Sequence, residues 1–537
     1  MKGTRSLVVV AVVLASVIRF DAQEKGGAWF GTPVPPPMSD PRKPVMKYDD
    51  VFAPVPVRFA HRPGKFDELL DGAALKKDQR KIVGFSLESL EAGDKLWGRR
   101  AATPAFMHTL EWTVSELKSA GLKDARVETY AVPAPMWVPQ SWEVQVAGDP
   151  AFGPGTETVT LQSAFPQPGG ATTSLTAPLI FAGRGTDADL AGRDVKGKIA
   201  VIRIRPEPSL FGSAEQGAAA RLVERGAVGV INAVEGPGNA LYFDPRFACG
   251  KAPCFMVGGQ DGWFLEQVIG KAANAGMLDR LKMSLRLASE EKTGLTSGNA
   301  VATIPGQSAK RIIVNAHADG YFQAGDDNAS GLAVLLGLAR YLAKQPAPKH
   351  TLLFVASGGH HSPGNGPAAL VAAHPELKDG TLLVINLEHV AYLDIVRGKT
   401  RAVNNTGMTW ETSVTESAKA VGVTNESPFL VDLWSYAPRC YDVATYLSAG
   451  PGVSGDLGGY RSLGVPMTQM IQSGTFYHAS GDVYEAVPAE GMERAARFHA
   501  FLIEQADRAP EAMITAGKGT PYERARLDCA SALGSRK

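Results

Sequence analysis

From Arg311 onward the chain alternates continuous apolar runs with amphipathic stretches. RIIVNA (311–316), TLLFVAS (351–357), LLVINL (382–387) and PMTQMIQ (466–472) read as strands. They lack the apolar–polar alternation of a half-exposed strand, so both faces are expected to be covered. Helical patterns lie between and after them, over ASGLAVLLGLARYLAK (329–344), near 410–420 and over 489–506. Strand–helix–strand repetition of this kind predicts the α/β class, with a mostly parallel central sheet flanked by helices. Upstream, Phe106–Ala120 reads as a helix and ARVETYAV (125–132) as a strand. Between 175 and 288 the texture changes. DVKGKIAVIRIR, AAARLVERGAVGVINAV and APCFMVGG mix short strands with one helix and many glycines, the pattern of a β-rich inserted domain. The expected division is an α/β domain from 61–150 and 290–510, the insert at 175–288, and a C-terminal tail at 511–537.

The N-terminal pattern differs. Lys2 and Arg5 precede an apolar run of 12 residues, Leu7–Ile18, and then Arg19. That run is short for a bilayer span, so residues 1–22 read as a signal peptide. An uncleaved anchor is the alternative, because FDAQ (20–23) is a poor small-residue cleavage site. A proline-rich linker, GTPVPPPMSDPRKP, falls within 23–60. A secreted or periplasmic protein is expected, with no membrane contact beyond the leader.

Composition narrows the partners. The 537 residues are 45% hydrophobic and 20% charged, which suits a globular protein of two or three domains. A net charge of +1 supplies no field for nucleic acid or an anionic membrane. The four cysteines suit an oxidising compartment. Cys249 and Cys254 are close enough in sequence to pair, leaving Cys440 and Cys529 as a possible second bridge. Four buried thiols are the alternative.

Chemistry-bearing residues collect where the apolar runs stop. His317 and Asp319 follow the first strand, with Asp326 and Asp327 just before its helix. His360 and His361 follow the glycines after the second strand, and Glu388 and His389 follow the third. His478 lies beyond the fourth, in TFYHASGD. One His or Asp after a strand is usually a turn residue or cap. Several strands delivering imidazole or carboxylate to one sheet edge point instead to a metal site, and this donor set suits zinc. Asp319 is placed to hold the imidazole of His317. Asp326 reads as a helix cap, and His389 is expected to point away from Glu388 along an extended strand, a bend that brings it in being the alternative. His61, His108, His350, His374 and His499 are expected in surface or capping roles, and the aromatics of 429–442 in local packing, with the lining of a substrate pocket as the alternative.

HADGYFQAGDDNASG (317–331) resembles the metal-binding segment of the co-catalytic zinc exopeptidases that include aminopeptidase S and glutamate carboxypeptidase II. GRRAATPA (98–105) resembles that family's early Gly-Arg segment, 175–288 its protease-associated (PA) insert domain, and YHASGDVYEAV (477–487) its closing ligand motif. The resemblance implies two zinc ions, with Asp327 as the bridging ligand and His317 and His478 as further ligands. It departs at GGHHSPGNG (358–366), where the family carries a Glu-Glu pair. His360 then takes the general-base position and His361 a ligand position. Glu388 replaces the usual Asp of the third strand, and Leu457 replaces a His.

All five ligand positions (His317, Asp327, His361, Glu388 and His478) hold metal-competent residues, and imidazole can serve as either ligand or base. The expectation is a secreted zinc-dependent exopeptidase, of aminopeptidase or carboxypeptidase type, acting on a peptide or small amide. His360 is its base and Asp319 the orienter. The rival readings are a non-catalytic binding module of the same fold and a metal-dependent hydrolase of a non-peptide amide.

Overall fold

The computed structural model describes residues 27–38, 40–46, 48, 66–206, 210–361, 364–397, 410–448, 454–524 and 529. The leader, part of the linker and His61 lie outside them. One sheet positions the site. Its strands in chain order are β1 (Arg126–Ala131), β2 (Thr296–Ile304), β3 (Ser308–His317), β4 (His350–Ser357), β5 (Thr381–Leu387), β6 (Lys419–Val423), β7 (Thr445–Leu447) and β8 (Met467–Ile471). Their spatial order is β7-β6-β8-β5-β3-β4-β2-β1. The central four, β8, β5, β3 and β4, are mutually parallel. Antiparallel pairing begins on either side, at β2 and β6.

Alternation along β3 explains the unbroken apolar runs. Ile312, Val314 and Ala316 enter one core with helices α1 (Gly72–Glu91), α2 (Pro104–Ser119), α3 (Gly331–Leu342) and α4 (Ala489–Arg508). Ile313 enters a second core on the opposite face, with Leu353, Val355, Val384, Leu457 and Tyr460. Both faces are dry, so both phases of the strand must be apolar. Helix α2 starts where the sequence signals it. The Thr103 hydroxyl accepts from the Phe106 amide at 3.4 Å, with Pro104 in the first turn.

A second sheet, also of eight strands, lies between β1 and β2 in the chain. It is wider than the sequence pattern indicates. Met136–Val146, ahead of residue 175, pairs with Lys282–Lys292, whose other side pairs with Thr173–Phe181. Trp410–Glu416, read as helical, is a strand paired with Leu393–Arg397. Thr412, a β-branched residue, favours that pleated pairing. Phe429, Trp434 and Tyr436 are helical core residues, with Trp434 and Tyr436 against Phe498 and Phe501 of α4. Disulfides join Cys249 to Cys254 and Cys440 to Cys529. No helix among the described residues is long and apolar enough to cross a membrane.

Candidate metal centre

Parallel strands end together at one edge. His317 ends β3 in register with Ser357, the last residue of β4, and Asn315 pairs with Asn386 near the end of β5. The segments beyond those ends carry Asp319, Asp327, His360, His361 and Glu388, and Tyr477–His478 arrives after β8. The glycines before His360 permit a sharp reversal. Gly359 has φ +81°, and a Cβ there would collide with the carbonyl oxygen of Gly364. The Gly366 amide then donates to the Gly358 carbonyl at 2.7 Å.

Asp327 is the hub. His361 Nε2 lies 2.8 Å from its Oδ1, His389 Nε2 3.0 Å and His317 Nε2 3.4 Å. His478 Nε2 lies 3.5 Å from its Oδ2. A tetrahedral site with bonds near 2.05 Å has donor–donor edges of about 3.3 Å, so the His317 and His478 spacings match imidazoles around a metal, while the two shorter ones are hydrogen-bond lengths. The Nε2 atoms of His317, His389 and His478 are buried without a hydrogen bond among the described residues. Three groups of donors are close enough to share an ion: His317 with Glu388 and His389; Asp327 with His361 and His478; and His317 with His360 and His361. The donor set fits zinc, with four imidazoles placed around the Asp327 carboxylate and Glu388 grouped with two of them.

Two predicted roles are corrected by the geometry. His389 turns into the site rather than away from it. Its φ of +51° breaks the extended strand, and its amide donates to Asn328 Oδ1 at 3.2 Å. His389 Nδ1 contacts the Gln472 carbonyl, which leaves Nε2 facing Asp327. Asp319 does less for His317 than expected. The nearest acceptor for His317 Nδ1 is the Asp319 main-chain oxygen at 3.0 Å, with the carboxylate at 3.6 Å. That carboxylate accepts instead from the amides of His360 (3.3 Å) and His361 (2.9 Å), so it shapes the loop.

The sequence reading also missed partners. Asp456, at the start of the helical turn Gly455–Leu463, accepts from His360 Nδ1 at 3.0 Å. Its other oxygen takes Asn315 Nδ2 at 2.8 Å and the Ser357 hydroxyl. Asn315 also donates to Asn386 Oδ1 at 2.8 Å, and Asn386 to Glu388 Oε2 at 2.6 Å, so His360 and Glu388 are joined through buried amides. His360 Nε2 faces Glu388 Oε1 at 3.5 Å, and its ring stacks on His317. A Cβ on Gly455 would fall 2.2 Å from Glu388 Oε2, so only glycine allows this approach. Asp482 accepts from the amides of Asp326 (2.8 Å) and Asp327 (3.0 Å) and fixes the hub. Asp244, from the second sheet's segment, stands 3.4 Å from His478 Nδ1.

The protein's own charges polarise this cavity. Burial works against protonated His360, but Glu388, Asp456 and Asp327 outweigh it and hold the imidazole up to about 10. His389 is likewise held up to about 10, against burial, by Asp327, Asp326 and Glu388. His361 is pushed down to about 3 by burial and by cationic His360, which overcome its attraction to Asp327. Despite its burial, Asp327 is held well below the usual range by His361 and His389. Asp482 is raised to about 7, chiefly by burial. The centre therefore carries an excess of carboxylate charge, which two imidazolium protons answer, and a metal dication would take their place.

The remaining histidines divide. His108 is exposed beside Glu88, and His374 is bound to Glu128 at the surface. His350 and His499 are wholly buried, contrary to the surface expectation. His350 is anchored by Asp507 at 3.2 Å, and His499 by the Ala495 carbonyl at 2.7 Å. Asp432 is paired with Arg524.

Residues 299–503 match the family model for peptidase family M28. Over this segment the chain is similar to M28 peptidases, in keeping with the co-catalytic zinc exopeptidases that the motifs resemble. Three solved structures share its fold. An aminopeptidase from Aneurinibacillus sp. strain AM-1 is 20% identical, with a TM-score of 0.54 over 86% of this chain and 99% of that one. A peptidase M28 precursor from Shewanella amazonensis SB2B is 17% identical, with a TM-score of 0.58 over 85% and 100%. BSAP, a zinc aminopeptidase from Bacillus subtilis, is 20% identical, with a TM-score of 0.54 over 81% and 97%. At such identities the likeness is one of fold. The alkaline phosphatase isozyme conversion protein of Escherichia coli (strain K12) is 32% identical over 113 residues. That stretch covers 18% of this chain, and the chain spans about a third (32%) of that relative.

Proposed function

We propose that the protein is an exported zinc-dependent exopeptidase of aminopeptidase type with an altered proton-handling group. The observation that carries this reading is the convergence of His317, His361, His389 and His478 on the buried carboxylate of Asp327. His317, Glu388 and His389 would hold one ion, His361 and His478 the other, and Asp327 both. Bound zinc would polarise a scissile carbonyl and lower the pKa of a water molecule toward neutrality.

This chain's own residues do the rest. Asp456 accepts the Nδ1 proton of His360, which fixes the ring and leaves Nε2 as the atom that takes a proton and returns it to the leaving amine. With Asp327 and Glu388 holding zinc, less of their charge would be left to hold His360 cationic, and its imidazole would be available as a base. Asp319 keeps the His360–His361 loop in place through its two amide bonds. The inserted sheet is read as a PA-like domain, and it reaches the centre through Asp244. Export is supported by the leader pattern and by two disulfides.

Zinc quantitation on purified protein, combined with a screen of amino-acid arylamides and dipeptides, tests the reading. About two zinc per chain with arylamide turnover is expected. Two zinc per chain with turnover of non-peptide amides alone would move the assignment to an amidohydrolase. Absence of both zinc and turnover would leave a binding module.

A further inference from the structure

Two adjacent arginines precede α2, and they are treated very differently by the fold. Arg99 is fully buried and satisfied, donating to the carbonyls of Ala318 (3.0 Å), Gln323 (2.9 Å) and Ala324 (3.2 Å) and to the Ser86 hydroxyl at 2.6 Å. Arg100 is 95% buried, with 5% of its surface exposed. Its guanidinium has one weak contact, Nη1 to the Met136 sulfur at 3.8 Å. Its Nε has no partner, and no carboxylate pairs with it among the described residues. Asp94, an acid in its neighbourhood, is engaged by the Ser89 hydroxyl at 2.6 Å.

Arginine does not lose its proton in proteins, so Arg100 keeps a buried positive charge. An unpaired buried charge is costly, and folds seldom retain one without a use. The location supplies that use. Arg100 lines a cleft of about 530 Å³ that also reaches His360, His361 and His478. The other walls are largely apolar, including Met136, Trp137 and Phe243. A second arginine in this cleft, Arg246, is already neutralised by Asp244, with Nε 2.8 Å from Oδ1. One guanidinium therefore remains with its fork open, beside the metal-ligand residues.

We propose that Arg100 is the carboxylate anchor of the substrate site. The preferred substrates are peptides with an apolar body and a carboxylate within one residue of the bond that is cut. This deepens the hydrolase reading and rests on it. A guanidinium pairs with a carboxylate in two parallel hydrogen bonds, and the apolar walls exclude the water that would compete. The carboxylate can come from the free chain end or from an Asp or Glu side chain, and matched substrates separate these sources.

Three pairs are compared for kcat/KM: Leu-Phe with Leu-Phe amide, Leu-Glu amide with Leu-Gln amide, and Glu with Gln p-nitroanilide. The wild type is expected to favour the carboxylate in one pair by about 10–100-fold, the range of a charge-assisted hydrogen bond, mostly through KM. Arg100→Met should collapse that ratio toward one. Arg100→Lys should keep part of it, since it retains charge and loses the fork. A ratio within twofold in all three wild-type pairs would overturn the proposal, as would a preference that survives Arg100→Met. An equal fall on both members of a pair would mark Arg100 as structural. Calorimetric titration of the chelator-treated full-length protein with the same pairs supplies a readout independent of turnover. Carboxylate-selective binding lost in Arg100→Met supports the anchor even where nothing is hydrolysed, and that outcome would refute the hydrolase reading alone.

Discussion

Replacing Asp456 by Asn tests the proton path without touching a proposed metal ligand. Asp456 Oδ1 accepts from His360 Nδ1 at 3.0 Å, and Oδ2 accepts from Asn315 at 2.8 Å. An amide of the same shape still offers one oxygen, but it turns a charge-assisted bond into a neutral one. The difference between those classes is about 1–2 kcal/mol, or about one pKa unit in the imidazole. Its direction follows from the cause. Burial lowers His360, and Asp456 is one of the carboxylates that hold it up. Losing that charge lowers the pKa, so the base form persists to lower pH. The acid limb of kcat against pH should therefore move down by about one unit. The plateau should fall by roughly 10–100-fold, part of the usual worth of a general acid–base group, because the ring is less firmly oriented. Zinc content, read by elemental analysis on the same sample, should stay at the wild-type value. An unmoved acid limb together with lost zinc would refute the reasoning and make Asp456 a support of the metal site only.

Asp327→Asn should cost both zinc ions together, since each half of the centre leans on this carboxylate; full zinc retention would sink its bridging role. His361→Ala and His360→Ala should fail differently. The first should release one zinc, and the second should keep both while losing turnover by about 10²–10⁴-fold; wild-type turnover in His360→Ala would place the proton elsewhere. His499 is buried with its pKa lowered to about 4, against about 6.5 in an unfolded chain, a gap of about 3 kcal/mol. A depressed folded pKa means this stability is complete above pH 6.5 and is lost as pH falls toward 4. His499→Leu should therefore flatten the fall in Tm over that window, whereas parallel Tm–pH curves for variant and wild type would count against it.

Much of this was legible in one dimension. Apolar runs without alternation identify strands buried on both faces, and parallel strands must end on the same edge. The residues just past those runs therefore share a site whatever the loops do, which is why His317, Asp327, His360, His361, Glu388 and His478 stand out in the sequence. Local pattern failed where a long-range partner decides the conformation. Trp410–Glu416 became a strand because Leu393–Arg397 lies beside it. His389 left the strand direction because Asn328, 61 residues away, binds its amide. Asp456 reached His360 across 96 residues because Gly455 tolerates close approach to Glu388. Arg99 and Arg100 are indistinguishable as letters, and only the tertiary fold satisfies one and leaves the other facing a cleft. The periodicity of side chains along the backbone determined where donors emerge. The packing of distant segments, each supplying or withholding a hydrogen-bond partner, determined which way those donors point and which charges remain open to a ligand.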